Sequence, residues 1–427
     1  MVHKPLQGMV VLDFSQFLSG PYAGLRLADL GARVIKVERP DGGDLCRRLY
    51  ISNLELDGDS TLFHSINRNK ESFSVNLKDP QERQTVIELL KKADIMIQNY
   101  RPGVIEKLGY SYEEVKAINP GIIYGSISGY GTEGPLLDKP GQDLLVQSFA
   151  GIPWLSGDTG RDPMPFGLAI ADMMAGAHLV QGILAAAVRR AITGQGARIE
   201  TSLLESTLDT MQEVWCDVLQ QTDDKDKLEP VAASRGRKVE PPMATGIYAV
   251  QDGYIALGSM PIAALDQLIG CKEMEQEGKL LEKAEGNTQE NVEETGEIEE
   301  TVETVETVET VEIEETEETG EQIGERIRRK LQEHLLQRPA SHWVSKLAQH
   351  GLPCVQVTDW HNLLQHDAFR QLEMIQQISR PNGVSMSALR CPIRIDGERF
   401  TSPKGSPTIG EHNERITADL IGNRMGG

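Results

Sequence analysis

The first forty residues alternate in a way that few folds accommodate. Met9-Val10-Val11-Leu12-Asp13-Phe14 is a short apolar run that stops at the turn residues Ser19-Gly20-Pro21. Leu25, Leu27, Ala28 and Leu30 then recur at helical spacing, and Gly31 stands where a helix ends. Val34-Ile35-Lys36-Val37 is a second apolar run, closed by Pro40 and Gly42-Gly43. Two strands joined by one helix make a βαβ unit, which predicts a parallel sheet. The alternation continues with a helix over 81–92, a strand at 95–97, a helix near 104–108 and a strand at 122–126. The expected class is α/β, with a Rossmann-like doubly wound large domain.

Its first part runs over residues 1–205. It includes a long Ala- and Leu-rich helix over 170–193 that Gly194 closes, whose small residues between Ala175 and Ala187 permit close packing on a neighbour. A strand at 198–200 and a further long helix over 203–219 follow. Residues 206–238 read as a linker helix that becomes charged and irregular. A smaller α+β domain is expected over 239–360. It opens with a hairpin in which Gln251-Asp252-Gly253 joins 247–250 to 254–257, since Asp-Gly supplies the turn. Residues 361–427 are expected to return to the large domain.

Charge has meaning only once it is located. The chain of 427 residues carries −21, of which the sixteen Glu of 285–321 supply −16. The remainder carries −5, which argues against a nucleic-acid surface. Within the acidic stretch, Val302, Val305, Val308 and Val311 fall three apart, so a helical stripe would slip by ~60° per repeat and build no fixed face. A solvated insert, or an interaction tail, fits that pattern. No stretch supplies the ~18 uninterrupted apolar residues of a membrane span. The start, Met1 to Gly8, has no signal peptide's apolar core. Five scattered cysteines form no C-x-x-C pair, hence neither a disulfide framework nor a zinc site is expected. The expected location is the cytoplasm.

The common catalytic fingerprints are missing: no G-x-G-x-x-G follows the first strand, and no P-loop, H-E-x-x-H or G-x-S-x-G occurs. One constellation remains. Asp172 opens the small-residue helix, and Asp143 in Gly141-Gln142-Asp143-Leu144 precedes an apolar segment. Each carboxylate could simply cap a helix or complement its dipole. Asp172 could alternatively be a nucleophile, kept ionised by the helix N-terminus.

Beyond these residues the sequence resembles the class III CoA-transferases, which include formyl-CoA:oxalate and carnitine CoA-transferases and, as a side branch, α-methylacyl-CoA racemase. The resemblance is carried by Val11-Leu12-Asp13-Phe14 with Ser19-Gly20-Pro21, and by the run from Asp29-Leu30-Gly31-Ala32 to Glu38-Arg39-Pro40. Asn67-Arg68-Asn69-Lys70, Asn99-Tyr100-Arg101-Pro102-Gly103, Ser126 to Gly131, Thr193 to Gly196 and Gly410-Glu411-His412-Asn413 add to it. It implies CoA transfer between an acyl-CoA and a small carboxylic acid, with Asp172 as nucleophile and Asp143 as its acidic neighbour. It implies that Arg39, Asn69, Lys70, Asn99, Tyr100 and Lys107 line the CoA cleft, with no permanent cofactor and no metal. It also implies an interlocked homodimer. Departures narrow the class. Gln142 stands where the racemase branch has a histidine, and glutamine cannot exchange a proton. Leu18 replaces a glutamine of the oxalate enzymes, and Lys107 replaces an arginine, keeping charge without the planar fork. Their glycine run gives way to Leu257-Gly258-Ser259-Met260-Pro261. His178, farther along the nucleophile helix, is read as packing.

Overall fold

The computed structural model describes residues 3–50, 53–155, 162–221, 244–269 and 320–422. Most of the acidic repeat, 285–319, and the irregular stretch 222–243 therefore lie outside the described residues. The chain divides into two compact units, one from 1–156, 163–231 and 367–427, the other from 157–162 and 232–366.

The first unit is built on six parallel strands: β1 (Val10–Asp13), β2 (Arg33–Glu38), β3 (Glu71–Ser74), β4 (Ile95–Gln98), β5 (Ile123–Ser128) and β6 (Ala197–Ser202). Their order across the sheet is β3-β2-β1-β4-β5-β6. This is the doubly wound arrangement, and it reverses direction between β1 and β4. The opening βαβ unit forms as its sequence dictates, with α1 (Ser19–Asp29) crossing from β1 to β2 and Val11 in register with Val34. Both sheet faces are covered, because alternate strand residues enter two separate cores. Val11, Ile95, Ile97 and Ile123 join one, and Leu12, Met96 and Tyr124 join the other.

The crossovers carry α2 (Thr61–Asn67), α3 (Pro80–Leu90), α4 (Val104–Lys107), α5 (Tyr112–Ile118), α6 (Asp143–Ala150) and α7 (Ile170–Thr193). Local chemistry starts three of them, α2 through the Ser60 hydroxyl, which accepts from the Phe63 N–H. Asp79 accepts from the N–H groups of Gln81 and Glu82 ahead of Pro80 at the head of α3, and Ser111 with Glu114 makes a capping box on α5. α7 is long and apolar enough by length and composition to cross a membrane. Its Ala175, Leu179 and Ile183 are instead buried in the core it shares with α1 and the sheet. The expected helix over 203–219 breaks into α8 (Leu203–Asp209) and α9 (Gln212–Gln221). Thr207 and Thr210 hydroxyls donate to the carbonyls of Leu203 and Thr207 near the break, and this back-bonding competes with a continuous helix.

In the second unit, β7 (Gly246–Val250) and β8 (Gly253–Leu257) form the expected hairpin, and β9 (Cys354–Gln356) adds antiparallel to β8. Against them pack α10 (Ile262–Ile269), α11 (Gly320–Leu335) and α12 (Ala340–Gln349), whose Leu265, Ile327, Leu331 and Trp343 are buried in one core. After α13 (Trp360–Gln365) the chain returns to the first unit through α14 (Asp367–Leu372), the hairpin β10 (Ile375–Ser379) and β11 (Ser385–Leu389), and α15 (Asn413–Leu420).

Candidate active site

The strand order reverses between β1 and β4, and ligands of doubly wound sheets bind outside the carboxyl ends of the strands at such a point. The loops leaving those two strands are tied together there. Asn99, just after β4, accepts from the N–H of Gln16 at 2.8 Å and donates to its carbonyl at 2.7 Å and to Ser19 Oγ at 3.3 Å. Ser19 is the first residue of α1, so this clasp fixes where that helix starts.

α7 reaches the same place because glycines let it. A Cβ on Gly176 would lie 2.5 Å from the carbonyl oxygen of Ser19, and one on Gly182 would lie 2.6 Å from Ile199 Cγ2. Both are impossible separations, so the close approach of α7 to α1 and to β6 depends on hydrogen at these positions. One turn before Gly176 stands Asp172, partly buried, with Ser19 as its hydrogen-bonding neighbour.

Helix α7 has no side-chain cap of its own, Ala169 standing at that position. Asp143 supplies one from α6: its Oδ1 accepts the Asp172 N–H at 2.9 Å. Asp143 thus caps not the helix it opens but α7, and does so as a neighbour of Asp172. The consequence is electrostatic. Burial, and then the charge of Asp143, push the Asp172 carboxyl up to about 7, against the opposing pull of the Ser19 hydroxyl and N–H. A carboxyl of this kind is half ionised near neutrality and more basic than an ordinary aspartate, which favours attack on an electrophilic carbonyl.

The other residues singled out from the sequence are placed unequally. Tyr100 lies beside Gln16, past the carboxyl end of β4, and burial raises its phenol. Arg39 is exposed just past β2; among the described residues its Nε donates to the Gly43 carbonyl at 2.9 Å. Lys107 is exposed at the end of α4. Lys70 is different. It is fully buried, and its Nζ donates to Asp13 Oδ2 at 2.9 Å, the Pro21 carbonyl at 2.8 Å and Asn67 Oδ1 at 2.9 Å. An ammonium has three N–H groups, so none is left for a ligand. Asn69 holds a left-handed backbone (φ 62°) and spends its amide on the Ala28 carbonyl and the Ser402 hydroxyl. Both residues brace the loop. His178 sits 3.3 Å from Asp209 Oδ2, and Gln142 is exposed at the head of α6.

Three contributors were not legible as such. Ser19 reads in sequence only as part of a turn. Gln16 carries no signal. Gln147 would have been visible once α6 was recognised, because it follows Asp143 at the i, i+4 spacing that puts two side chains on one face.

The family model of CoA-transferase family III matches residues 6–413. The chain belongs to CoA-transferase family III. Acetyl-CoA:oxalate CoA-transferase of Acetobacter aceti is 40% identical over 212 residues, 49% of this chain and 53% of that protein. Succinyl-CoA:glutarate CoA-transferase of Homo sapiens is 39% identical over 203 residues, 48% of this chain and 46% of that protein. In these pairings the chain spans about half the length of the curated relatives it matches. Over nearly the full length it is 27% identical to a probable fatty acyl-CoA transferase of Mycobacterium tuberculosis, covering 96% of each chain. The crystal structure of a CAIB/BAIF family protein from Brucella suis superposes with a TM-score of 0.76 at 27% identity, covering 98% of this chain and 99% of that one.

Proposed function

We propose that this family III protein is a CoA-transferase that moves CoA from an acyl-CoA donor to a small carboxylic acid. The observation that carries the reading is the Asp172 carboxyl, raised to about 7 and partly exposed where α1 and α7 meet. In the first step one Asp172 oxygen attacks the donor's thioester carbonyl; the C–S bond breaks, leaving an aspartyl mixed anhydride and CoA thiolate. The thiolate then attacks the aspartyl carbonyl, displacing the donor's carboxylate and forming an aspartyl-CoA thioester. The acceptor carboxylate attacks that carbonyl and releases the thiolate again. Finally the thiolate attacks the acceptor's carbonyl, giving the new acyl-CoA and free Asp172. Each exchange conserves activation, provided water is kept out.

The Ser19 N–H and hydroxyl favour negative charge at Asp172 and are donors for an oxyanion formed there. Arg39 and Lys107, exposed and cationic, suit the CoA phosphates, and Tyr100 with Asn99 stands past the carboxyl end of β4. Oxalate and glutarate, the acceptors in the relatives' names, are the acceptor class to try first, with acetyl-CoA and succinyl-CoA as donors. A cytoplasmic homodimer, its chains interlocked, completes the proposal. Racemisation is disfavoured by Gln142, which is neither acid nor base.

The test is mass spectrometry of the protein mixed with a panel of acyl-CoAs and quenched with hydroxylamine. A hydroxamate at Asp172, absent in Asp172→Ala, is the expected result. Transfer that proceeds in the alanine variant, or an adduct elsewhere, refutes the assignment.

A further inference from the structure

The amide of Gln147 has an arrangement that packing alone does not explain. Gln147 lies on α6 and is 2% exposed. Its Nε2 donates to Asp143 Oδ2 and, at 2.8 Å, to the Leu168 carbonyl, so both N–H groups are used. Its Oε1 is buried and has no hydrogen-bond partner among the described residues. A buried carbonyl left unpaired costs about 1–3 kcal/mol, which a leucine of similar volume would avoid. Stability alone therefore favours an apolar side chain here. What glutamine adds is two donors in fixed relation, one on the carboxylate of Asp143 and one on the segment just ahead of α7.

We infer that Gln147 is a positioning residue for Asp172, acting through Asp143; the inference rests on the CoA-transferase reading above. By holding Oδ2, Gln147 leaves Oδ1 as the oxygen that meets the Asp172 N–H. By holding the Leu168 carbonyl, it fixes the backbone from which the first turn of α7 starts. Without the amide, Asp143, which is only partly buried, turns toward water. Asp172 then loses both the cap on its own N–H and a nearby negative charge. A displacement of about 1 Å at a nucleophile is enough to cost roughly a hundredfold in rate.

A readout that needs no substrate comes from carbodiimide, which labels protonated carboxyls. Labelling of Asp172, followed by mass spectrometry against pH, is expected to fall with a midpoint near 7 in the wild type. Gln147→Leu should lower that midpoint by about one pH unit, because the neighbouring charge that raises it has moved away. In an Asp143→Ala background the same substitution should shift nothing further. With an active donor and acceptor pair, kcat should drop at least about tenfold while the KM for acyl-CoA holds. Gln147→Met serves as a second variant. An unmoved midpoint, an equal shift with and without Asp143, or loss of fold in both variants overturns the inference, the last by showing a purely structural role. If instead the midpoint moves while wild-type protein traps no acyl group on Asp172, the coupling stands and the nucleophile assignment fails.

Discussion

A carboxyl raised in the folded state has a stability signature opposite to that of an ordinary surface aspartate. Unfolded, Asp172 releases its proton near 3.8; folded, it keeps it to about 7. Between those values the native state binds more protons than the unfolded one, so its stability falls as pH rises, and stays at the lower level above 7. At about 1.4 kcal/mol per unit, reduced for partial exposure, the penalty at pH 8 is roughly 2–4 kcal/mol. Asp172→Asn, which mimics the neutral acid, should therefore exceed the wild type by that amount in urea unfolding at pH 8 and match it below about pH 4. Equal stability at pH 8 would contradict the raised carboxyl. The same titration sets activity: kcat/KM should rise through about pH 7 and level off once the carboxylate forms. At Arg39, whose fork is exposed, substitution by alanine should raise the KM for acyl-CoA about tenfold with little change in kcat; an unaltered KM would remove it from the phosphate site. Where Asp172, Asp143 and Arg39 sit, at the heads of α7 and α6 and just past β2, was legible because position in an element can be read locally. Lys70 was not. Its partner Asp13 is fifty-seven residues away, and nothing local distinguishes a lysine that grips phosphate from one sealed in an ion pair.

At the scale of elements, the small residues of α7 were readable as a packing face, and the structure shows what they admit. Gly176 takes the α1 backbone, Gly182 takes Ile199, and Gly125 on β5 leaves only 3.0 Å for a Cβ against Leu179. The boundaries of α7 also follow its pattern, since an Ala- and Leu-rich helix of twenty-four residues closed by Gly194 in a left-handed backbone (φ 73°) is a strong periodic signal. Short elements were harder. α6 spans only eight residues, and its Leu144, Leu145 and Phe149 are exposed, so no single apolar stripe announced a helix there. Gly176→Ala tests how tightly α7 must sit on α1. Its methyl group meets a backbone carbonyl, which cannot rotate aside, so the helices must part. A stability loss of about 1–3 kcal/mol is expected, with an activity loss larger than that predicts because Ser19 moves away from Asp172. Activity that simply tracks the fraction folded would disconnect this contact from the site.

Across the whole molecule, the first unit depends on chain segments that no local pattern connects. Its last stretch, 367–422, returns to the open edge of β3: the His412 N–H donates to the Ser72 carbonyl, and the Asn413 amide pairs with both the N–H and the carbonyl of Ser74. An unpaired edge strand is thereby covered. Deeper in, Arg47 joins Glu38 to Asp59, and Arg380 joins Asp59 to the exposed Asp57, so residues more than 320 apart share one charge network that is buried at every member but Asp57. Burial raises the cost of the Glu38 carboxylate, but the Arg47 guanidinium beside it, with Lys36, outweighs that and holds it below the usual range. Such a network specifies which ends meet, since a charge buried without its partner is heavily penalised. Arg380→Ala strips the guanidinium from a site only 3% exposed and leaves Asp57 and Asp59 short of a cation. It should cost about 3–5 kcal/mol in urea unfolding and increase proteolysis within 367–422. Because the Arg380–Asp59 pair is shielded from solvent, 0.5 M salt should change its share of that loss by less than about 0.5 kcal/mol, whereas the more exposed Asp57 contact would weaken with salt. A loss under about 1 kcal/mol would show that the terminal segment is held by its strand-edge hydrogen bonds and apolar contacts instead.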